Sequence, residues 1–302
     1  MKGCQQFGGV WTEKKLKCLK KYLCAYTTAL KNKPFELVYI DAFAGTGYRT
    51  QNPDPNEFND LLPGFSDVEV QEFLKGSARI ALEIEPQFDH YYFIEQNKKH
   101  FEELTKLRNS FPRLSNRINL INEDSNNYLI EICTNWNWKK RRAILFLDPY
   151  GMNVNWTTVE SIAKTEAIDM WYLFPLGVAV NRLLKKDGEI CDAWKTKLDT
   201  IFGTSNWYTA FYKNEEQESL FEDDPHVQKT ATYIKIKNFF LKRLQEEFAD
   251  VSSNPLVLLN SRGCPLYLFC FAASNKKGAP IAIRIAKNIL DHMGKDGPQL
   301  QN

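Results

Sequence analysis

Apolar runs alternate with amphipathic stretches over the first two thirds of the chain. Five of these runs have the length and the β-branched or aromatic content of buried strands. They are residues 35–43, 90–97, 117–126, 143–151 and 167–177. Strands that alternate with helical pattern pair in parallel through crossover connections. The pattern therefore predicts an α/β fold with a doubly wound, mostly parallel sheet.

Helical spacing appears before and between these runs. Leu16, Leu19, Leu23 and Tyr26 recur at intervals of three and four, which predicts an N-terminal basic helix over 12–31 with Thr12 as its N-cap. Shorter helices are predicted at 76–84, with Ser77 as the cap, after the second strand through about 109, at 128–133 and at 156–164.

The C-terminal part has a different order. A predicted helix over 230–249 is followed by two apolar runs, 255–260 and 265–274, with a short turn between them. So short a link requires antiparallel pairing. Five parallel strands that end in an antiparallel hairpin are typical of the Rossmann-like class I methyltransferase fold, and we expect residues 1–302 to form one such domain.

Two segments interrupt this order. Residues 48–76 are rich in Pro and Asp and show no periodicity, which indicates a long insertion. Residues 178–229 separate the fifth strand from its following helix, and we interpret them as a helical insertion that carries Trp194 and Trp207.

Composition limits the class of protein. The 302 residues are 43% hydrophobic and 25% charged, as in soluble globular proteins, and the longest apolar runs are too short for a membrane span. The seven cysteines form no CxxC pair, and the four histidines are far apart. We therefore expect no disulfide framework, no metal site and no membrane contact, and a cytoplasmic location.

The net charge of +2 conceals basic clusters. Residues 1–33 hold eight lysines and one acid, "KKRR" occupies 139–142, and a third cluster lies in 276–287. Solvated helix faces would explain such clusters, and so would a phosphate-rich partner, RNA or DNA. Because 139–142 precede a strand, they should lie at the sheet edge opposite the ligand site, so the N-terminal helix is the predicted nucleic-acid contact.

Acidic residues follow four successive strands. In an open parallel sheet, ligands bind beyond the carboxyl ends of the strands. Each acid alone could be a helix cap or a turn residue, but the set at one edge predicts a ligand site. These acids are Asp41, Glu95, Asp124 and Asp148.

The turn after the first strand narrows the choice of ligand. It reads D-x-F-x-G-x-G, with Asp41, Phe43, Gly45 and Gly47. Thr50 replaces the third glycine of a dinucleotide fingerprint, which disfavours NAD, and no Lys-Ser/Thr pair follows, which excludes a P-loop.

S-adenosylmethionine (SAM) suits this pattern because it has no pyrophosphate to bind. Asp41 would face its ammonium group, Glu95 the ribose hydroxyls, and Asp124 with Ser125 the adenine amine. Phe43, Gly45 and Gly47 would form the turn beside it. Trp11, Thr12 and Lys15 are further candidates, which would close over the cofactor.

Several motifs resemble one family over nearly the whole chain. "YIDAFAGTG", "GSARIAL", "YYFIE", "FLDPYG" and "WYLFPLG" are similar to the three-Cys-motif partner family (TcmP), as are the "WTEKKLKCLKKYL" and "NPLVLLNSRGCPLYLFCFAASN" segments. A more distant resemblance is to bacterial ribosomal-RNA adenine-N6 methyltransferases. The resemblance implies a SAM-dependent methyltransferase fold, suggests a nucleobase exocyclic amine as target, and makes a three-Cys-motif protein a possible partner.

The catalytic assignment falls on Asp148, Pro149 and Tyr150. Adenine N6 is a poor nucleophile. The Asp148 carboxylate and the Pro149 carbonyl would accept hydrogen bonds from its two N–H groups, while Tyr150 stacks on the base. The sequence reads D-P-Y-G, with one proline where the nucleic-acid enzymes have two. A strand-terminating turn is the alternative explanation.

Other aromatic residues could contact a base that has been extruded from a duplex. Phe174 and Pro175 could form a second wall of the acceptor pocket, or belong to the core. Four tryptophans could stack on bases, although large aromatics are more often core residues. They are Trp136, Trp138, Trp156 and Trp207.

The sequence predicts a SAM-dependent methyltransferase that acts on an exocyclic amine of a nucleobase. Two alternatives stay open. One is methyl transfer to a protein or a small molecule, and the other is a non-catalytic partner subunit of a three-Cys-motif protein.

Overall fold

A computed structural model describes residues 9–45, 76–214, 227–260 and 262–294. Its strands are β1 (Glu36–Asp41), β2 (His90–Ile94), β3 (Ile118–Ile121), β4 (Arg141–Leu147), β5 (Ile168–Phe174), β6 (Tyr212–Asn214), β7 (Val227–Lys229), β8 (Asp250–Val251), β9 (Leu256–Leu259) and β10 (Pro265–Ala273). Its helices are α1 (Gly9–Leu30), α2 (Ser77–Glu83), α3 (Lys98–Asn109), α4 (Ser125–Asn135), α5 (Trp156–Lys164), α6 (Asp192–Phe202), α7 (Trp207–Phe211), α8 (Tyr233–Glu247) and α9 (Ala279–Gly294).

The central sheet has the predicted topology. Its order is β3-β2-β1-β4-β5-β10, and both β8 and β9 pair with the outer side of β10. The first five strands are parallel, whereas β10 is antiparallel to β5 and to β9. The molecule thus has the Rossmann-like class I methyltransferase fold, and the antiparallel pairing of the last two strands is confirmed.

Helices cover both faces of the sheet, as the doubly wound pattern predicts. One face packs against α1, α2, α3 and α9, and the other against α4, α5, α8 and the helices that follow β5. Alternate residues of each strand face opposite sides. Tyr39 in β1 and Phe146 in β4 belong to the α1 side, while Ile40 and Leu147 belong to the other.

The insertion after β5 combines helices with a small sheet. A π-helical turn, Leu176–Val180, continues into Asn181–Leu183, and α6 and α7 follow. The two-stranded antiparallel sheet β6–β7 was not predicted. A Cβ on Gly177 would lie 1.8 Å from the backbone oxygen of Pro265, so only glycine allows the turn to dock on the start of β10.

Two predicted helix caps are wrong. Helix α1 begins at Gly9, so Thr12 lies within the first turn instead of capping it. Gly76 occupies the N-cap position of α2, and Ser77 is its first helical residue. The Ser77 side chain instead lies close to Asp41 and lowers the pKa of that buried carboxyl.

The predicted insertion at 48–76 lies outside the described residues except for Gly76. Within the described ranges, no helix combines the length and the apolar character that crossing a membrane requires.

Candidate functional site

Asp41 ends β1 with its side chain fully buried. The Tyr39 hydroxyl donates to its Oδ2 at 3.4 Å, while Oδ1 has no hydrogen-bond partner among the residues that the structure describes. Burial raises the pKa of Asp41 to about 7, and the negative charge of Asp148 adds to this increase. Ser77, Lys15 and the Phe43 amide act in the opposite direction and lower the pKa. An orphaned oxygen on a buried acid indicates that a cationic or donor group belongs beside it.

The turn after Asp41 is tied to the end of β2. Gly45 has φ 59°, a left-handed conformation that favours glycine, and its N–H donates to Glu95 Oε2 at 3.0 Å. Glu95 Oε1 accepts from the amide of Asn97, the N-cap of α3, at 2.8 Å. Glu95 therefore lies at the rim of the predicted cofactor site with its carboxylate oriented by two backbone donors. Phe43 packs against the core, and Gly47 is outside the described residues.

The third strand end presents residues that already have partners. Asp124 is the N-cap of α4 and accepts from the Asn127 amide at 3.0 Å. The buried Ser125 hydroxyl donates to the carbonyl oxygen of Ala42. These contacts fasten α4 to the end of β1, which places both residues at the edge where the adenine contact was predicted. That contact stays a prediction.

Asp148 lies directly after β4 on the same sheet face as Asp41. Its Oδ2 is 2.6 Å from the Nζ atom of Lys15, which α1 brings into the site, and the two side chains are 6% and 1% exposed. Its Oδ1 has no hydrogen-bond partner among the described residues. Burial raises the pKa of Asp148 and Lys15 opposes that shift. Lys15 was predicted at the cofactor, and the structure places it on the catalytic candidate.

Pro149 and Tyr150 follow in the same corner, Pro149 buried and Tyr150 half-buried. Tyr267 of β10 lies in this corner too. Burial raises the pKa of Tyr267, and the nearby Asp148 and Tyr150 raise it further. Sequence reasoning missed Tyr267. The available signal was its place in the strand predicted to pair antiparallel with the fifth, because that pairing brings β10 beside the end of β5.

Asn126 holds the loop that leaves this corner. Its side-chain amide donates to the Asn153 carbonyl at 2.8 Å. Its Oδ1 accepts from the Asn155 amide and from the Thr158 hydroxyl, each at 2.9 Å. This buried asparagine was also missed, because nothing in its local sequence indicates contacts with residues 27 to 32 positions away.

Several predicted base-stacking residues belong to the core instead. Trp138, Trp156 and Trp207 are 7%, 2% and 1% exposed, so they are unavailable to a base. Phe174 is fully buried and stacks on Phe240 at 3.7 Å between ring centroids, which favours packing over a pocket wall. Burial of large apolar rings outweighs any advantage of presenting them to ligand.

Trp136 is half-buried between Tyr92 and the Arg141 guanidinium, 4.8 Å from its ring. Arg141 belongs to "KKRR", whose two lysines precede β4 and whose two arginines begin it, so the cluster lies at the opposite sheet edge, as predicted. The side chains of Trp11 and Thr12 are outside those the structure describes. Among the described residues, no group of three or more His, Cys, Asp and Glu side chains is arranged to hold a metal ion.

The strand order defines a Rossmann-like methyltransferase fold. Its candidate site contains two buried carboxylates, at the carboxyl ends of β1 and β4. No protein-family model matches the sequence. No curated protein matches it either.

Similar solved structures were found at low sequence identity. Protein LPL1258 from Legionella pneumophila, of the DUF519 family, is 14% identical with a TM-score of 0.48, over 96% of this chain and 95% of that chain. A candidate S-adenosylmethionine-dependent methyltransferase from Listeria monocytogenes is 8% identical with a TM-score of 0.36, over 85% and 98%. At such values the likeness adds nothing to the strand order and site geometry.

Proposed function

We propose that this protein is a SAM-dependent methyltransferase whose acceptor is an exocyclic amine of a nucleobase, adenine N6 in RNA or DNA. One observation carries the proposal. Asp41 and Asp148 are buried at the carboxyl ends of neighbouring parallel strands, and each has a carboxylate oxygen without a partner among the described residues. The Asp41 carboxylate would bind a cationic cofactor, and the Asp148 carboxylate would bind the acceptor amine.

The charges of the site support the choice of cofactor. When both acids are ionised, Asp41, Asp148 and Lys15 together carry one net negative charge in a buried region. SAM has a sulfonium, an ammonium and a carboxylate, so it brings one net positive charge. Asp41 would hold the ammonium end, while Gly45 and Glu95 would hold the ribose. When bound, SAM supplies a methyl group on a sulfur that keeps the electron pair of the broken carbon–sulfur bond.

The corner at Asp148 would serve the acceptor. The lone pair of an aromatic amine is delocalised into the ring, which makes the nitrogen a weak nucleophile. Asp148 Oδ1 and the Pro149 carbonyl would accept hydrogen bonds from its two N–H groups, favour pyramidal nitrogen and stabilise the positive charge that develops as the methyl group arrives. One N–H proton would then leave to water. Tyr150 and Tyr267 would bound a flat base.

The basic surface of α1 supports a nucleic-acid substrate. Lys17, Lys20 and Lys21 are exposed on the same helix that carries Lys15 to Asp148. A phosphate backbone bound along this row would run toward the acceptor corner. A base within a duplex would have to be extruded to reach Asp148.

The test is transfer of labelled methyl groups from SAM to total cellular RNA, genomic DNA and total protein in parallel. We expect label in one nucleic-acid fraction. Asp148→Ala should reduce transfer by about 100-fold or more, with SAM affinity changed by less than about threefold, because the acid acts on the acceptor. Asp192→Ala, at an exposed acid on α6, is the matched control.

The other outcomes identify the alternatives. Label in protein alone would indicate a protein methyltransferase. SAM binding without transfer to any fraction, even with a three-Cys-motif protein added, would indicate a non-catalytic partner subunit. Full turnover by Asp148→Ala would contradict the role given to Asp148.

A further inference from the structure

We propose that Lys15 is a positioning residue for the acceptor amine: its ammonium fixes one oxygen of Asp148 and keeps that carboxylate charged, so that the other oxygen faces the amine. This inference rests on the proposed function. It extends the site from the strand ends to α1, a helix whose remaining buried positions are taken mainly by apolar residues.

The place of Lys15 on its helix is the first argument. Lys15 lies on the core-facing stripe of α1 together with Cys18, Leu19 and Tyr22, all of them buried. An apolar side chain at this position would extend the stripe. Replacement of a buried ion pair by apolar packing is often neutral or stabilising, so stability alone does not explain a lysine here.

The contact geometry is the second argument. Lys15 Nζ is 2.6 Å from Asp148 Oδ2 and 5.6 Å from the centroid of the Phe146 ring. The first contact is a short charge-assisted hydrogen bond, and the second is a cation–π contact with the strand that ends at Asp148. Because Oδ2 is held, the carboxylate cannot rotate freely, and Oδ1 keeps a fixed direction.

The protonation state of Asp148 is the third argument. Burial raises the pKa of this carboxyl, and the charge and hydrogen bond of Lys15 lower it. A neutral carboxylic acid would be a weak acceptor and would not stabilise positive charge on the amine. Without the ammonium, more of the protein would hold Asp148 in this unproductive form at neutral pH.

The experiment compares Lys15→Met, Lys15→Arg and Lys106→Met, the last at an exposed lysine of α3. The rate of methyl transfer to the nucleic-acid fraction that accepts label is measured from pH 5.5 to 9.5 at saturating SAM. We expect Lys15→Met to lose about 100-fold at pH 7 and to recover part of that loss at high pH. Lys15→Arg should keep most of the activity and the wild-type profile, and Lys106→Met should keep both.

A second measurement does not depend on turnover. In protein labelled with ¹³C at aspartate carboxyl carbons, the signal lost in Asp148→Asn reports Asp148. Its titration midpoint should rise by at least about one pH unit in Lys15→Met and stay near the wild-type value in Lys15→Arg. Thermal unfolding of each variant shows whether it is folded under these conditions.

Two results would overturn the inference. One is an unchanged Asp148 titration in folded Lys15→Met protein. The other is a Lys15→Met rate profile that falls uniformly, with no change of shape. Failure of the proposed function looks different, because then no nucleic-acid fraction accepts label from wild-type protein while the carboxyl titration can still shift.

Discussion

At the scale of single residues, the burial of Asp41 determines its protonation state and therefore whether it can attract a cationic ligand. Water is excluded from its carboxylate, and the negative charge of Asp148 lies nearby, so its pKa is raised to about 7. A group with such a pKa changes charge within the physiological range. The charge of the buried site therefore depends on pH where most carboxylates would be fully ionised.

We predict that SAM affinity increases with pH between 6 and 8. Above its pKa of about 7, Asp41 is ionised and attracts the ammonium of the ligand; below it, the neutral acid does not. If only the ionised form binds well, the dissociation constant should fall by about fivefold between pH 6 and 7, and the gain should level off near pH 8, where the ligand's own α-amino group begins to lose its proton. Isothermal titration calorimetry measures it.

Asp41→Asn is the control for that experiment, because it removes the titration while preserving the side-chain shape. Its binding should be weak and independent of this group across the same range. A wild-type dissociation constant that stays flat or rises between pH 6 and 8 would contradict the role of Asp41.

At the scale of elements, the loop after β4 depends on α4. Asn126 joins α4 to residues 153–158 through three hydrogen bonds, so one side chain fixes the path by which the chain leaves the Asp148 corner. Each of the partners would lose a bond if this side chain were truncated.

Asn126→Ala should therefore lower the free energy of unfolding by about 2–4 kcal/mol. Amide exchange in residues 153–158 should accelerate more than exchange in α3. Urea unfolding and hydrogen–deuterium exchange measure the two effects. Asn135→Ala, at the exposed end of the same helix, should change little, and equal effects from both substitutions would refute this account.

The close packing of the turn after β5 against the start of β10 leads to a second prediction at this scale. Ala at position 177 would place a carbon 1.8 Å from the Pro265 oxygen, so the turn or the start of β10 must move. We expect Gly177→Ala to cost at least about 2 kcal/mol in urea unfolding. Gly294→Ala is the matched control because nothing lies within 4 Å of its added Cβ. Equal stability of the two variants would contradict the docking argument.

Elements were predictable from sequence where burial dictates the pattern. The parallel strands are buried on both faces, so their apolar runs are nearly continuous and end at acids such as Asp41 and Asp148. Short elements were missed, among them β8 and the β6–β7 pair. Two or three residues give no measurable periodicity, and partners distant in sequence determine whether they pair.

The site was predictable to the same extent. The sequence pattern predicted Asp41 and Asp148 at strand ends of one sheet edge, where the structure has them, while their binding and catalytic roles stay predictions. The pairing of Lys15 with Asp148 was not predicted, although a lysine on the apolar stripe of α1 was a visible signal. Which strand end that helix reaches depends on packing across 133 positions of sequence.

At the scale of the whole molecule, basic residues lie at opposite edges of the sheet. Lys17, Lys20 and Lys21 lie on the helix that reaches the Asp148 corner, whereas Lys139 and Lys140 precede β4 at the far edge. The two groups have the same chemistry and different positions. Substitutions in the two groups therefore distinguish nucleic-acid binding near the candidate site from nonspecific attraction to positive charge.

We predict that changing Lys17, Lys20 and Lys21 together to Glu weakens oligonucleotide binding and reduces its salt dependence. Each lost phosphate contact should lower the slope of log K against log salt by about 0.7–0.9. Fluorescence anisotropy at several salt concentrations measures the slope. The double change of Lys139 and Lys140 to Glu should have a smaller effect, and the reverse order would place the nucleic acid at the other edge.

The long separation of Lys15 from Asp148 has a consequence for biosynthesis. A ribosome adds the 133 residues from position 16 through Asp148 in roughly 7–27 s at typical elongation rates. During that interval α1 has neither its ionic partner nor β10 and α9, against which it packs. Its exposed lysines keep one face of this nascent segment hydrated until the sheet assembles.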